Sequence, residues 1–420
     1  MKDRIFLCMV HMSGKELDFI KDAFADNWVV PLGPDVDAFE RDLERFVNTC
    51  SDGKILDKKV AAVNSGTSAV HLALIACGVE PGDEVLVQSF TFCASSHPVT
   101  YLGGVPVFID SEKDSWNMDP DLLEEAIKDR IAKTGRLPKA IIPVALYGMP
   151  YKIDRIMDIA NRYGIPVIED AAEGFGSCYN GRVLGTFGRF GVLSFNGNKM
   201  ITTSSGGAVI CGNDEAKKSI LYYATQARES YPYYQHQHIG YNYRLSNICA
   251  AIGRGQMTVL DEHIAHHRHV QALYCELFND VPGITMHRNP SPEFESNFWL
   301  CTALLDPELK IKGEENAYKE MVLRNVGGVA GVTRMAGAPV TDCQPNRNVE
   351  ALRMILEENN IESRPLWKPM HRQPVYSNNP AYINGVSEDI FRRGICLPSG
   401  PWVTDEHVRY IVDVIKSSFE

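Results

Sequence analysis

Through roughly residue 260 the chain alternates short β-branched runs with helical spacing, and this alternation constrains the fold more than any other feature. Strand candidates are Val60–Val63, Glu84–Val87, Val105–Ile109, Ala140–Leu146, Pro166–Ile168, Val192–Phe195 and Gly207–Cys211. Helical patterns lie between them at Thr67–Cys77, Leu122–Lys133 and Ile153–Tyr163; in the first, Val70, Leu74 and Cys77 share one face. Strands separated by helices predict an α/β fold with a mainly parallel central sheet covered by helices.

At 420 residues the chain exceeds one ordinary core. The expected division is a large domain over residues 1–260, including the N-terminal segment, and a smaller α+β domain over 261–420. Gln256–Leu277 reads as one long helix linking the two, and from about residue 282 Pro, Asn and Glu become more frequent. Ile311–Asn346, with Gly327, Gly328, Gly331 and Gly337, reads as a long loop or partly helical excursion. It is either a surface insertion or a flap. The spacing of Val408, Ile411, Val412 and Ile415 predicts a terminal helix over Glu406–Ser418.

A formal net charge of -11 without a long basic run argues against a general nucleic-acid binder. Eleven scattered cysteines without a C-x-x-C pair suggest reduced thiols rather than a disulfide framework. The apolar run Ile5–Val10 is short for a signal-peptide core, and no stretch is long enough to span a membrane. These features together predict a soluble, cytoplasmic protein. His263, His266 and His267 share a helical face as solvent-facing histidines often do, and no carboxylate or cysteine completes a persuasive ligand set, so no metal site is expected. The aromatic run Tyr231–Tyr234, with His236 and His238, reads as a packed loop, with a border on a neighbouring subunit's site as the alternative.

Three segments carry chemistry. Asn64-Ser65-Gly66-Thr67-Ser68-Ala69 follows a strand and opens a helix, whose N-terminus can hold a phosphate; an ordinary capped turn is the alternative. Val167-Ile168-Glu169-Asp170 ends a strand in two carboxylates, at the sheet edge where open α/β folds bind ligands. A carboxylate such as Asp170 facing a pyridine nitrogen would keep it protonated; an acidic helix cap is the other reading, and the one favoured for Glu169. Ser194-Phe195-Asn196-Gly197-Asn198-Lys199 places a lysine among small polar residues that let the backbone approach a ligand. A neutral lysine amine can form an imine with an aldehyde, although a lone loop lysine is usually solvated.

A phosphate turn, a strand-end carboxylate and a lysine about thirty residues beyond it form the parts of a pyridoxal-phosphate (PLP) site. Six ordered blocks then make the resemblance specific: NSGTSAVHLAL, PGDEVLVQSFTF, VIEDAAEGFGS, SFNGNKMITTSSGG, GYNYRLSN and IESRPLWKPMHRQPVY. The chain resembles the DegT/DnrJ/EryC1/StrS sugar aminotransferases, which have the fold-type I PLP transferase architecture. That resemblance implies that Lys199 bonds the cofactor and Asp170 faces its ring nitrogen. It puts Gly66, Thr67, Ser68 and Ser194 at phosphate positions and Phe92 on the ring face. It also implies that Asn242 reaches the cofactor phosphate of a neighbouring subunit, hence a homodimer with shared active sites. Glu173, also expected at the cofactor, stands where many members have His or Gln, and Ala145 where many have His.

The last block resembles the branch that aminates nucleotide-linked 4-keto-6-deoxy sugars, including bacillosamine-pathway and exopolysaccharide enzymes. Arg364, Lys368 and His371 would then face a diphosphate while Trp367 covers a ring surface; a structural strand–loop is the alternative. L-Glutamate is the amino donor that the resemblance implies. Family dehydratases carry histidine in place of the catalytic lysine, whereas this chain keeps Lys199. A binding-only regulatory protein is the rival from another class.

Overall fold

The computed structural model describes residues 4–50, 53, 55–324, 332–336 and 342–420. Two helices, α1 (Glu16–Ala25) and α2 (Pro34–Val47), precede the first strand of the central sheet. The strands are β1 (Lys59–Val63), β2 (Glu84–Gln88), β3 (Val105–Ile109), β4 (Ala140–Ile142), β5 (Ile168–Asp170), β6 (Phe190–Ser194) and β7 (Gly207–Cys211). Neighbours run in the order β3-β2-β4, then β5-β6-β7-β1, with the parallel bridges Ile141–Val167 and Val144–Asp170 joining β4 to β5. Only β7 opposes its neighbours within this sheet, pairing antiparallel with β6 and β1. The short strand Ala381–Tyr382 extends the β3 edge in parallel.

The crossover helices α3 (Gly66–Ala76), α4 (Pro120–Thr134) and α5 (Ile153–Tyr163) begin and end on local chemistry. Ser65 caps α3 by accepting the Ser68 N–H, and Asp119 caps α4 ahead of Pro120 at its first position. Gly135 and Gly164 end α4 and α5 at φ near +69°, a conformation that costs glycine little. With both faces covered, the central strands are almost wholly apolar and buried, as parallel strands require.

The strand expected over Ala140–Leu146 stops at Ile142. Pro143 offers no N–H to a ladder, and Leu146–Gly148 forms a tight turn with Tyr147 at φ 53°. The expected long helix over Gln256–Leu277 is two helices, α6 (Asn247–Met257) and α7 (Leu260–Leu277). The Thr258 hydroxyl donates to the Gly255 carbonyl at the break. Gln256 is held in the first by hydrogen bonds to Glu16 and the His11 carbonyl.

The C-terminal part contributes β8 (Ile284–Met286), β9 (Cys301–Leu305), β10 (Glu320–Arg324), β11 (Val332–Ala336), β12 (Arg364–Pro365) and β13 (Gly394–Leu397). β9 pairs antiparallel with β8 and β13, and β13 with β12. Helices α8 (Arg347–Glu358) and α9 (Asp405–Ser417) join α7 around a core of Val270, Leu352, Ile361 and Ile411. Ile5 belongs to this second core, held by a bridge to Ile361. Within the excursion expected at 311–346, Glu314–Asn316 forms a short helical turn and β10 and β11 pair antiparallel; Gly327, Gly328, Gly331 and Gly337 lie outside the described residues.

Two expectations about polarity fail. His263 and His267 are buried, because their ring nitrogens serve the Met200 and Phe298 carbonyls, and burial holds His267 down to about 3. Tyr231, Tyr233 and Tyr234 are exposed rather than packed, the first two stacked on each other. Among the described residues no group of three or more His, Cys, Asp or Glu is placed to hold a metal. Nor is any helix there long and apolar enough to cross a membrane. All eleven cysteines are free thiols.

Candidate active site

The carboxyl ends of β5 and β6 and the N-terminus of α3 converge on one cavity of about 860 Å³, counting its open mouth. Gly66, Thr67, Phe92, Asp170, Glu173, Ser194, Lys199 and Trp367 all line it, although they come from five separate stretches of sequence. The loop carrying Lys199 leaves β6 and returns as β7. Phe195 clamps its base, donating its N–H to the Gly206 carbonyl and accepting from Thr203. A Cβ on Gly207 would come within 2.5 Å of the Gly66 nitrogen, so the strand that follows the lysine loop lies directly against the start of α3.

Lys199 Nζ lies 3.3 Å from Glu173 Oε1 and 3.9 Å from the centroid of the Trp299 ring. Trp299, just before β9, is fixed by donating its indole N–H to the Asn198 carbonyl. Glu173 Oε2 accepts the Tyr147 backbone N–H at 2.7 Å. Burial pushes the Glu173 carboxyl up, and Lys199 and the Tyr147 N–H act against that rise.

Asp170 ends β5 facing the cavity. Its Oδ2 accepts from Ser95 at 2.6 Å and its Oδ1 from the Ala172 N–H at 3.1 Å. Burial raises this carboxyl, opposed by those two donors and by Lys199. Neither carboxylate is a helix cap, since no helix begins there. Glu169 turns away from the cavity and accepts backbone N–H groups from Gly185 and Gly188.

The phosphate turn divides its residues differently from the sequence expectation. Gly66 and Thr67 face the cavity with Ser65 and Ser194, but Ser68 does not. The Ser68 hydroxyl donates to Asn64 Oδ1 and its N–H to Ser65, so both are used inside the turn. A Cβ on Gly66 would meet the Ser194 Cβ at 3.0 Å, which leaves a close cradle of backbone and hydroxyl groups at a helix N-terminus. Phe92 is half exposed at the mouth with its ring 5.2 Å from that of Trp367.

A second chamber of about 1120 Å³ shares Asn198, Trp299 and Trp367 with the first. Arg364 and Lys368 line it beside Glu362, Leu366 and Phe391. His371 departs from its expected place. It lines neither chamber, because Ser89 and Glu388 engage its two ring nitrogens. Asn242 is exposed and outside both chambers of its own chain. Sequence reasoning missed Ser95, Thr91 and Trp299; the first two stand in the QSFTFCAS stretch, three residues apart at most from Phe92.

The residues fit PLP. The α3 cradle suits its phosphate, Phe92 its ring face, Asp170 its pyridine nitrogen, and Lys199 its aldehyde. Fold and cavity together define a PLP-dependent aminotransferase. The chain belongs to the DegT/DnrJ/EryC1/StrS aminotransferase family, whose sequence model matches residues 11–329 and 325–416. It is 42% identical over 426 residues to EpsN of Bacillus subtilis strain 168, named there as a candidate PLP-dependent aminotransferase, covering 100% of this chain and 97% of the relative. It is 31% identical over 408 residues to the GDP-perosamine synthase of Escherichia coli O157:H7, covering 97% and 96%. The crystal structure of a family aminotransferase from Brucella abortus superposes with a TM-score of 0.80 at 26% identity, covering 96% of this chain and 95% of that one. The protein is thus a PLP-dependent sugar aminotransferase.

Proposed function

We propose that the enzyme moves the amino group of L-glutamate to C4 of a nucleotide-linked 4-keto-6-deoxy sugar, for surface polysaccharide or glycan precursors. The observation that carries this reading is the second chamber. It opens beside Lys199 through Trp299 and Trp367 and is lined by Arg364 and Lys368, two cations suited to a diphosphate. A relative named for a GDP-linked sugar supports the same substrate class.

PLP supplies an aldehyde that exchanges amines and an electron-poor ring that spreads the charge left on a deprotonated carbon. With PLP held there, Lys199 Nζ would take the proton from the donor α-carbon and return it at the cofactor C4′. Asp170 holds a proton on the ring nitrogen by remaining ionised beside it. Glu173 and Trp299 keep the freed lysine amine within the cavity. In the second half the same groups act in reverse on the keto sugar. One water supplies the keto oxygen with which glutamate leaves as 2-oxoglutarate, and the sugar carbonyl oxygen leaves as water in the second half.

Asn242 serves the cofactor phosphate of a second copy in a homodimer, a role that its exposure outside its own cavity supports. The test incubates holoenzyme and glutamate with nucleotide-linked 4-keto and 3-keto sugars and reads products by mass and NMR. Amination at C4 is the expected result. Amination of 3-keto sugars alone overturns the substrate class, and failure with glutamate but success with another donor overturns the donor.

A further inference from the structure

In the cavity wall three buried side chains form a directed line. Ser95 Oγ lies 2.6 Å from Asp170 Oδ2, and Thr91 Oγ1 lies 2.8 Å from Ser95 Oγ. Thr91 and Ser95 are each 1% exposed, so water does not compete at either hydroxyl. A serine hydroxyl has a single proton. While Asp170 is ionised it can only accept, so the Ser95 proton points at the carboxylate. Thr91 must then donate to Ser95. The direction of both bonds is therefore set by the charge on Asp170, and protonating Asp170 would remove the reason for that direction.

From these contacts we infer that Ser95, backed by Thr91, is a positioning residue that keeps Asp170 ionised and aimed at the cofactor's ring nitrogen. The inference rests on the reading of Asp170 as that nitrogen's partner. With Oδ2 held by Ser95 and Oδ1 by the Ala172 N–H, the carboxylate cannot rotate without losing a bond. A buried carboxylate without such donors drifts toward its neutral form, and a neutral Asp170 no longer favours a protonated ring. The other charged groups near Asp170 are Lys199, which favours its ionised form, and Glu173, which opposes it.

The arrangement also joins two tasks on one short stretch. Phe92 faces the cavity between Thr91 and Ser95 in sequence, so the loop that supplies a ring surface also supplies the line of hydroxyls. A shift of this loop would alter the stacking contact and the ring's protonation together.

The experiment loads the enzyme with ring-15N-labelled PLP and follows the nitrogen resonance against pH, without any substrate. In Ser95→Ala the midpoint of ring-nitrogen titration is expected to fall by about one pH unit or more, the scale of a lost hydrogen bond to a charged group. Ser95→Thr, which keeps a hydroxyl, should preserve the wild-type midpoint. Thr91→Val should give a smaller fall in the same direction. An unchanged midpoint in Ser95→Ala overturns the inference. If that variant does not fold, Thr91→Val decides: a fall supports the relay and an unchanged midpoint overturns it. Asp170→Asn separates the two layers. If it leaves the titration unchanged, the Asp170 reading itself fails; if it shifts the midpoint while Ser95→Ala does not, only the relay fails.

Discussion

Lys199 Nζ and Glu173 Oε1 stand 3.3 Å apart, although 26 residues separate them in the chain. The contact ties the loop after β5 to the loop after β6 across the cavity. It pairs a buried carboxylate with the one lysine lining that cavity among its described residues. Glu173, where the family resemblance leads one to expect His or Gln, thus stands in contact with the Lys199 amine.

Replacing Lys199 with Ala should abolish transamination. The amine that moves the proton would be gone, and no other lysine lines the cavity among the described residues. Product analysis with glutamate and a nucleotide keto sugar checks turnover. Borohydride treatment followed by peptide mass analysis checks attachment: the wild type should carry reduced cofactor on Lys199 and the variant none. Normal turnover in the variant would defeat the assignment.

Glu173→Gln should change how cofactor-free stability depends on pH. Burial raises the Glu173 carboxyl above its ordinary value, so between the unfolded and folded values the native state holds the extra proton. Stability of the wild type relative to the variant should therefore fall as pH rises through that window and level off above it. Chemical denaturation at a series of pH values measures the difference. A difference that grows with pH would contradict the sign.

Trp299 is almost wholly buried, and both its ring face and its N–H are in use. Trp299→Ala should cost about 3–5 kcal/mol of stability from the vacated volume. Trp299→Phe keeps a ring beside Lys199 but leaves the Asn198 carbonyl without its donor, and should cost about 1 kcal/mol. Denaturant midpoints of the two variants distinguish these outcomes; equal losses would mean that the ring face contributes nothing.

Gly207→Ala should weaken PLP binding as well as folding. The added Cβ would approach the Gly66 nitrogen at 2.5 Å and the Ser65 carbonyl oxygen at 2.6 Å, and both are backbone atoms. Overpacking of this kind costs about 1–3 kcal/mol, with the displacement falling on the start of α3. Equilibrium binding of PLP to the apoenzyme checks it. An affinity equal to that of the wild type would remove this strand–helix contact from cofactor binding.

Arg364, Lys368 and His371 should separate in mutant kinetics. Charge reversal at Arg364 or Lys368 should raise KM for the nucleotide sugar by about tenfold and leave the glutamate half-reaction unchanged. His371→Ala should lower stability by about 1–2 kcal/mol by removing the ring's bonds to Ser89 and Glu388, although Glu388 keeps Arg372 and Arg392 as partners. Its KM should stay near the wild-type value. A large KM change in the His371 variant alone would reverse the division.

The central strands and crossover helices were legible in the sequence because their patterns are local. Val60–Val63 and Gly207–Cys211 fall where expected, and α3 begins within one residue of its expected start. The break between α6 and α7 was not legible, because apolar spacing runs through it while Gln256 answers to Glu16 and His11, over 200 residues away. The burial of His263 and His267 was missed for a similar reason: their partners are carbonyls of Met200 and Phe298.

The six ordered blocks alone determined the family and hence the cofactor, since they fix which chemical groups occur and in what order. Lys199, Asp170 and the Gly66–Thr67 turn were the cofactor residues expected on that basis, and they line one cavity. Only the tertiary structure decided what surrounds them. It put Trp299 and Glu173 against Lys199, set Ser95 behind Asp170, and took Ser68 and His371 out of the cavity. Sequence spacing reports neighbours along one element, whereas these contacts depend on how the sheet edge, the α3 turn and the C-terminal segment fold onto a common space.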